Sequence, residues 1–354
     1  MLRLLARTPR RQQCLIHTLR PRLCPRAHNP LIRPHQHRTF LTHIPTVLLP
    51  PLVFSGLLLA LWTWKCLMMV VFQNKIIYMP GLPPNARREK IDDYRRQCGG
   101  VEWREEKIRS LDGTLISLCV ASVDGGEVDE GLRRVYVLYF QCQCKTLQFL
   151  PLLTNLLFHI SVRLLTSVGN ASSIPPRLPF LSPVLNSLRT IPSPTNIRYT
   201  LVCLSYRGYW TSHGRASETG IAKDAIAALQ WIAQDSRCTQ TDGVPVVIWG
   251  QSIGAGVATS LAATQPPSGL AIKTLILETP FLSVKAMLKT LYPQKWLPYR
   301  YLWPFLWNHL DSSKALGLMK ERHGEKTPRV LILEAGNDEL VPKVHGKMLE
   351  GRCR

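Results

Sequence analysis

The run Val246-Val247-Ile248-Trp249-Gly250-Gln251-Ser252-Ile253-Gly254-Ala255-Gly256 constrains this chain more than any other stretch. A short apolar strand leads into G-x-S-x-G, and a helix rich in small residues, Ala255 to Ala263, follows. That order suits a strained strand-to-helix turn that presents one hydroxyl, that of Ser252, at its apex. Such a turn tolerates only small flanking residues, and Gly250 and Gly254 meet the requirement. Gly256 is expected to let the helix approach the sheet, and the turn to expose the hydroxyl. The first helical N–H groups have no intrahelical acceptors and face the serine. The bland alternative is a glycine-rich turn with a passive serine, because G-x-S-x-G alone recurs by chance.

Charge is distributed unevenly. The net charge of +21 suggests nucleic acid until it is mapped. Residues 1–88 hold 13 Lys and Arg with no Asp or Glu, and the other 266 residues carry 31 against 23. The basicity belongs mainly to the N-terminal appendage. With no nucleic-acid motif and no basic-aromatic stripe, nucleic acid is set aside as a partner. The ten cysteines form no paired C-x-x-C units, and Cys142 and Cys144 are too isolated for a zinc site. Buried free thiols are expected, and no metal or organic cofactor is implied.

Residues 1–40 carry nine arginines and no acid, the composition of a mitochondrial transit peptide or of a basic cytosolic tail. Pro21, Pro25, Pro30 and Pro34 argue against one long amphipathic helix there. Ile44 to Trp64 are 21 residues without a charge, and Cys66 to Phe72 are again apolar after Lys65. Residues 44–72 therefore read as a transmembrane segment contacting the lipid bilayer, with Trp62 and Trp64 at an interface and Lys65 snorkelling. A buried soluble helix is the alternative. The membrane, mitochondrial or endomembrane, stays undecided. The sequon Asn170-Ala171-Ser172 matters only if its face is the secretory lumen.

From residue 76 onward strands alternate with helices. Glu106 to Leu111 and Thr114 to Ser122 read as a hairpin closed at Asp112-Gly113. Arg134 to Phe140, Ile197 to Ser205, Val246 to Trp249, Thr274 to Glu278 and Arg329 to Glu334 read as buried strands. Ile221, Ala225, Leu229 and Ile232 recur at helical spacing and predict a helix over Thr219 to Gln234. Apolar strands alternating with helices imply an α/β fold with a mostly parallel sheet covered on both faces.

Three blocks then carry a resemblance: Leu204-Ser205-Tyr206-Arg207-Gly208-Tyr209 with Gly214, Glu218, Gly220 and Asp224; Trp249 to Gly256; and Leu333 to Pro342. On these, residues from about Glu102 onward resemble the α/β-hydrolase superfamily. Within it, they are similar to membrane-anchored serine hydrolases related to fungal bud-emergence proteins, depalmitoylases and lysophospholipases. The resemblance implies an ester or thioester substrate of acyl-lipid or acyl-protein type, cleaved through an acyl-serine intermediate. Ser252 would be the nucleophile and Asp338 the acid that orients a histidine, with Glu334 and Glu339 as poorer acids. The backbone N–H groups of Ile253 and Gly169 would form the oxyanion hole.

Two features depart from the family pattern. No histidine stands clearly in the base position: His345 falls where a helix is expected (Lys343 to Glu350), and His213, His309 and His323 read as surface or packing residues. Residues 142–168 form an apolar insertion where the family has a short turn, and joining Gln141 to Gly169 would restore it. A retained intron or gene-model error fits this, and fits the abrupt C-terminus as a truncation. A genuine insertion covering the site or lying on the membrane is the alternative. A membrane-tethered scaffold without activity is the rival function. A Rossmann-like binder is weakened by the absence of G-x-G-x-x-G after an early strand. Tyr292 to Trp307, with Pro293, Pro298 and Pro304 among three tryptophans, is expected to cap an acyl chain, touch the bilayer or pack in the core.

Overall fold

The computed structural model describes residues 45–80, 85–125, 133–141, 173–191, 197–236, 243–336 and 341–353. The basic N-terminal tail, the 142–168 insertion, the sequon, Gly169, Asp338 and Glu339 lie outside them. The chain divides into two units, Met1–Gly56 and Leu57–Arg354.

A 3-10 turn, Thr46–Leu48, leads into helix α1, Leu49–Val71. Together these 26 residues are apolar and long enough to cross a bilayer, and none of their most apolar stretch is buried. A short helix α2, Gln73–Tyr78, follows.

Among the described residues, seven strands form one sheet: β1 (Arg104–Arg109), β2 (Leu115–Gly125), β3 (Arg133–Phe140), β4 (Ile197–Ser205), β5 (Val244–Gln251), β6 (Leu270–Glu278) and β7 (Arg329–Leu333). Their order is β1-β2-β4-β3-β5-β6-β7. β2 runs antiparallel to both its neighbours, while β4, β3, β5, β6 and β7 are parallel. The predicted hairpin closes at Gly113, whose φ of 79° no β-branched residue adopts cheaply. Its ends are tied by Gly113 N–H to Ser110 O and Ser110 N–H to Thr114 O, both 2.8 Å.

Side chains that alternate along a strand reach opposite faces, so a strand covered on both sides must be apolar throughout. Leu138 and Phe140 enter one core and Tyr139 the other; Val202 and Leu204 divide from Leu201 and Cys203 in the same way. On the first face pack α4 (Glu218–Asp235), through Ile221, Ala225, Leu229 and Ile232, and α5 (Ile253–Ala262). On the second face packs α3 (Leu178–Arg189), through Leu178, Leu181 and Leu185. Between β6 and β7 run α6 (Val284–Leu291), two 3-10 turns (Pro298–Tyr301 and Trp303–Phe305) and α7 (Ser312–His323), and α8 (Lys343–Cys353) follows β7. Cys98, Cys119 and Cys203 are buried free thiols, as expected.

Several expectations need adjusting. β5 starts at Val244 and holds Pro245 in its second position, where a missing N–H is tolerated near a strand end. β6 begins at Leu270, four residues early, because pairing with β5 continues across a bulge between Val246 and Val247. Glu334 lies just beyond β7 rather than within it. Helices α2, α3, α6 and α7 were not anticipated; Pro183 interrupts the α3 pattern, whereas in α6 Val284, Met287, Leu288 and Leu291 recur at helical spacing with Lys285 and Lys289 on another face.

Candidate active site

Ser252 stands between the last residue of β5 and the first of α5, with φ 49° and ψ −111°. A non-glycine residue in that region costs on the order of 1–3 kcal/mol and persists only where its surroundings over-determine it. The surroundings here are specific. The Ser252 N–H donates to Glu278 O on β6 at 2.8 Å, and Ser252 O accepts from Ala255 N–H at 2.9 Å and from Gly256 N–H at 3.4 Å.

Each glycine of the motif has a separate task. A Cβ on Gly250 would strike the Gly254 carbonyl oxygen and stand 2.6 Å from Ala258 Cβ. A Cβ on Gly254 would strike the Phe140 carbonyl oxygen and stand 2.9 Å from Gln141 O. Gly254 therefore sets how closely α5 approaches the sheet. Gly256, expected to do this, faces elsewhere: a Cβ there would stand 3.2 Å from Leu310 Cβ.

The site lies at the C-terminal edge of the parallel strands. Register aligns Gln251 with Glu278 and Glu278 with Leu333, and Thr279 N–H donates to Leu333 O at 2.7 Å. The end of β7 thus lies two strands from the end of β5, roughly 10 Å at ordinary strand spacing. As a whole residue Ser252 is 6 % exposed, its backbone packed where β5 passes into α5. Ile253 is the first residue of α5, where a backbone N–H has no intrahelical acceptor. Beneath the serine, Tyr139 and Trp249 meet edge to face at 5.0 Å, and Tyr139 donates to Gln251 Oε1 at 3.4 Å.

Among the described residues, no histidine is hydrogen-bonded to Ser252. His323 Nε2 contacts Ala262 O at 3.0 Å, at the end of α5 remote from the serine. His213 and His309 are exposed. His345 is buried in α8 with no partner for Nδ1, and burial holds its imidazole below the ordinary range. Glu334 packs against Gly346, where a Cβ would strike its Oε1, so that carboxylate is committed to the β7–α8 contact.

Two residues escaped the sequence reading. Gln141, fully buried next to the turn, has no partner for either side-chain amide atom. Glu278 is a buried carboxyl residue whose own carbonyl holds Ser252. The available signal was a polar residue closing each of two apolar runs.

The Arg207 block proves architectural. Arg207 donates to Asp224 through Nη2 at 2.7 Å and Nε at 3.0 Å, and to Asp112 through Nη1 at 2.8 Å. Gly220 leaves the space that this guanidinium fills. Asp112, hydrogen-bonded to Arg207, is held well below the usual carboxylate range. The Glu218 carboxylate accepts from the His309 and Leu310 N–H groups.

Lysophosphatidylserine lipase ABHD12 of Danio rerio is 36% identical over 158 residues, 44% of this chain and 40% of that protein. Protein bem46 of Schizosaccharomyces pombe is 33% identical over 150 residues, 42% of this chain and 45% of that protein. The chain is related to the α/β-hydrolase superfamily. It spans about two-fifths of the length of these curated relatives. No family model matches it. Among solved structures, an alpha-beta hydrolase from Vibrio vulnificus aligns with TM-score 0.44 and 16% identity, covering 79% of this chain and 91% of that one. An esterase from Pyrococcus furiosus aligns with TM-score 0.43 and 14% identity, covering 73% and 79%.

Proposed function

We propose that this chain is a membrane-anchored serine hydrolase that cleaves an acyl ester or thioester. The observation that carries the reading is the strained backbone of Ser252, kept at the sheet edge by Glu278 O and by two glycines that admit no side chain. Strain of this kind is retained at functional sites because it aims a side chain. In the proposed reaction the Ser252 hydroxyl attacks the acyl carbonyl carbon, and a histidine takes its proton. The Ile253 N–H, with that of Gly169, stabilises the oxyanion. The alcohol or thiol leaves with the proton, and water releases the acid from the serine. Asp338 is proposed to orient the histidine. The lysophosphatidylserine lipases among the relatives support an acyl-lipid substrate ahead of an acyl-protein one. Helix α1 supports anchoring through residues 44–72.

A second reading, a tethered scaffold without activity, is favoured by the lack, among the described residues, of a histidine hydrogen-bonded to Ser252. Fluorophosphonate labelling of the full chain beside Ser252→Ala separates the two. Labelling lost in the variant alone supports the hydrolase; an unlabelled but cooperatively folded parent supports the scaffold.

A further inference from the structure

We propose that the excursion between β6 and β7 seats on the bilayer surface, placing the mouth of the Ser252 site against an anionic headgroup layer. The inference rests on the membrane-anchored reading, since α1 supplies the reference plane.

Composition points first. From Thr279 to Leu310 the chain has no acid, four basic residues (Lys285, Lys289, Lys295 and Arg300) and eight aromatic ones. Burial does not account for the aromatics: Trp296 is 67 % exposed, Trp307 63 %, and Tyr301, Trp303 and Phe305 are also exposed. This overturns core packing as the role of most of the segment, though Tyr299 is buried. Contiguous exposed apolar surface marks an interaction site, and tryptophan and tyrosine beside lysine and arginine suit the headgroup region.

The segment is also held in place. Tyr301 Oη donates to Lys295 O at 2.8 Å, and Arg300 Nη1 donates to Pro293 O at 2.7 Å. Gln73 bonds both the Phe305 carbonyl, at 3.2 Å, and the Trp307 N–H, at 2.7 Å. Lys285 Nζ stands 3.6 Å from the Trp303 ring centroid, so its charge and that ring face the same surroundings. Fixed backbone with outward rings is what an interfacial platform requires.

Continuity with α1 selects the occupant. Trp62 lies 5.9 Å from Trp296, and Lys65 Nζ lies 5.4 Å from the Tyr299 ring. Lys65 is the first charge after the uncharged run, so the headgroup plane passes near this level of the helix. Trp296 and its neighbours stand at that same level. The four basic residues without an acid among them favour an anionic lipid surface over a neutral protein groove.

Both ends of the acid-free segment Thr279–Leu310 reach the candidate site. It departs at Glu278, whose carbonyl accepts the Ser252 N–H, and ends at Leu310, which packs on Gly256 before α7 begins. Gly256 lies about 6 Å along α5 from Ser252, close to one helical turn. A lipid ester leaving the headgroup layer would therefore meet the serine without crossing bulk water.

The test uses the full chain in vesicles of phosphatidylcholine with or without phosphatidylserine. A photoreactive p-benzoylphenylalanine replaces Trp296, Trp303 or Trp307, Phe54 in α1, or the exposed Glu102, one per variant, and lipid capture is read by mass spectrometry. Circular dichroism confirms that each variant is folded. Capture is expected from the three tryptophan positions and from Phe54, and not from Glu102. Adding Lys289→Gln and Lys295→Gln should lower phosphatidylserine capture at Trp303 several-fold and leave Phe54 unchanged. Capture from Phe54 with none from the tryptophan positions overturns the seated platform while anchoring stands. Absence of capture at every position, Phe54 included, overturns both. Cross-linking of the tryptophan positions to protein overturns the proposal in favour of a protein partner.

Discussion

The turn at Ser252 and the segment Leu291–Trp307 are both built largely from glycine, proline and apolar residues, yet they settle in opposite ways. At the turn, β3, β5, β6 and α5 converge until a single added carbon collides with backbone. In the segment, prolines and 3-10 turns fix the backbone while the rings, Tyr299 excepted, stay outside the core. Hydrophobicity was present in both, and the number of neighbouring elements decided which became interior. Sites that must aim one atom need the first kind of environment, and sites that must meet a fluid surface need the second.

Substitutions and titrations sharpen that contrast. The largest effect is expected for Gly254→Ala, whose Cβ meets the Phe140 carbonyl group; neither backbone can yield alone. A loss of upwards of about 4 kcal/mol, with loss of any Ser252 labelling, is expected in chemical denaturation. A small change would show that α5 can lift off the sheet. Next comes Arg207→Met, which strands the fully buried Asp224. Roughly 3 kcal/mol is expected, the low end for a broken buried pair, because the Arg207 backbone N–H still reaches Asp224 at 3.2 Å.

Acid titration should act on the same loop. The folded-state pKa of Asp112 is depressed below its ordinary 3.8, so its contribution is complete above that value and lost as pH falls toward the folded one. Melting curves between neutral pH and strong acid should show a shallower acid limb in Asp112→Asn. His345 titrates higher: burial depresses its pKa below 6.5, so stability should start to fall as pH drops through 6.5, and less so in His345→Gln. The smallest effect belongs to the outer segment. Trp296→Ser should shift stability in detergent by no more than about 0.5 kcal/mol. Trp303→Ser should cost about 0.5–1 kcal/mol through its lost contact with Lys285. A loss of several kcal/mol at either position would show that the segment belongs to the core.

Much of the fold was legible because its signals are local. Ile197–Ser205 matched its predicted strand residue for residue, its β-branched and aromatic start leading into the short apolar run Leu201–Leu204. The hairpin at Gly113 and the helix around Ile221 followed from a turn dipeptide and from periodicity. Helix α6 did not: it is one short stretch of eight residues, none of them buried, with only Val284 and Met287 packed against the core. The elbow serine was found from five residues of motif. Gln141 and Glu278 were not, because nothing in their own strands reveals which strand will lie alongside.

By itself, the sequence determined the alternation of strands and helices, the position of the strained serine and the uncharged stretch long enough to span a bilayer. These are properties of neighbours along the chain: steric limits on φ, hydrophobic period and run length. Only the tertiary structure decided that Gly254 rather than Gly256 admits the sheet, that Arg207 serves Asp224 and Asp112 rather than a substrate, and that the Trp296 ring stays outside. Each depends on which distant residue fills the adjoining space, and close packing settles that only after the strands have paired.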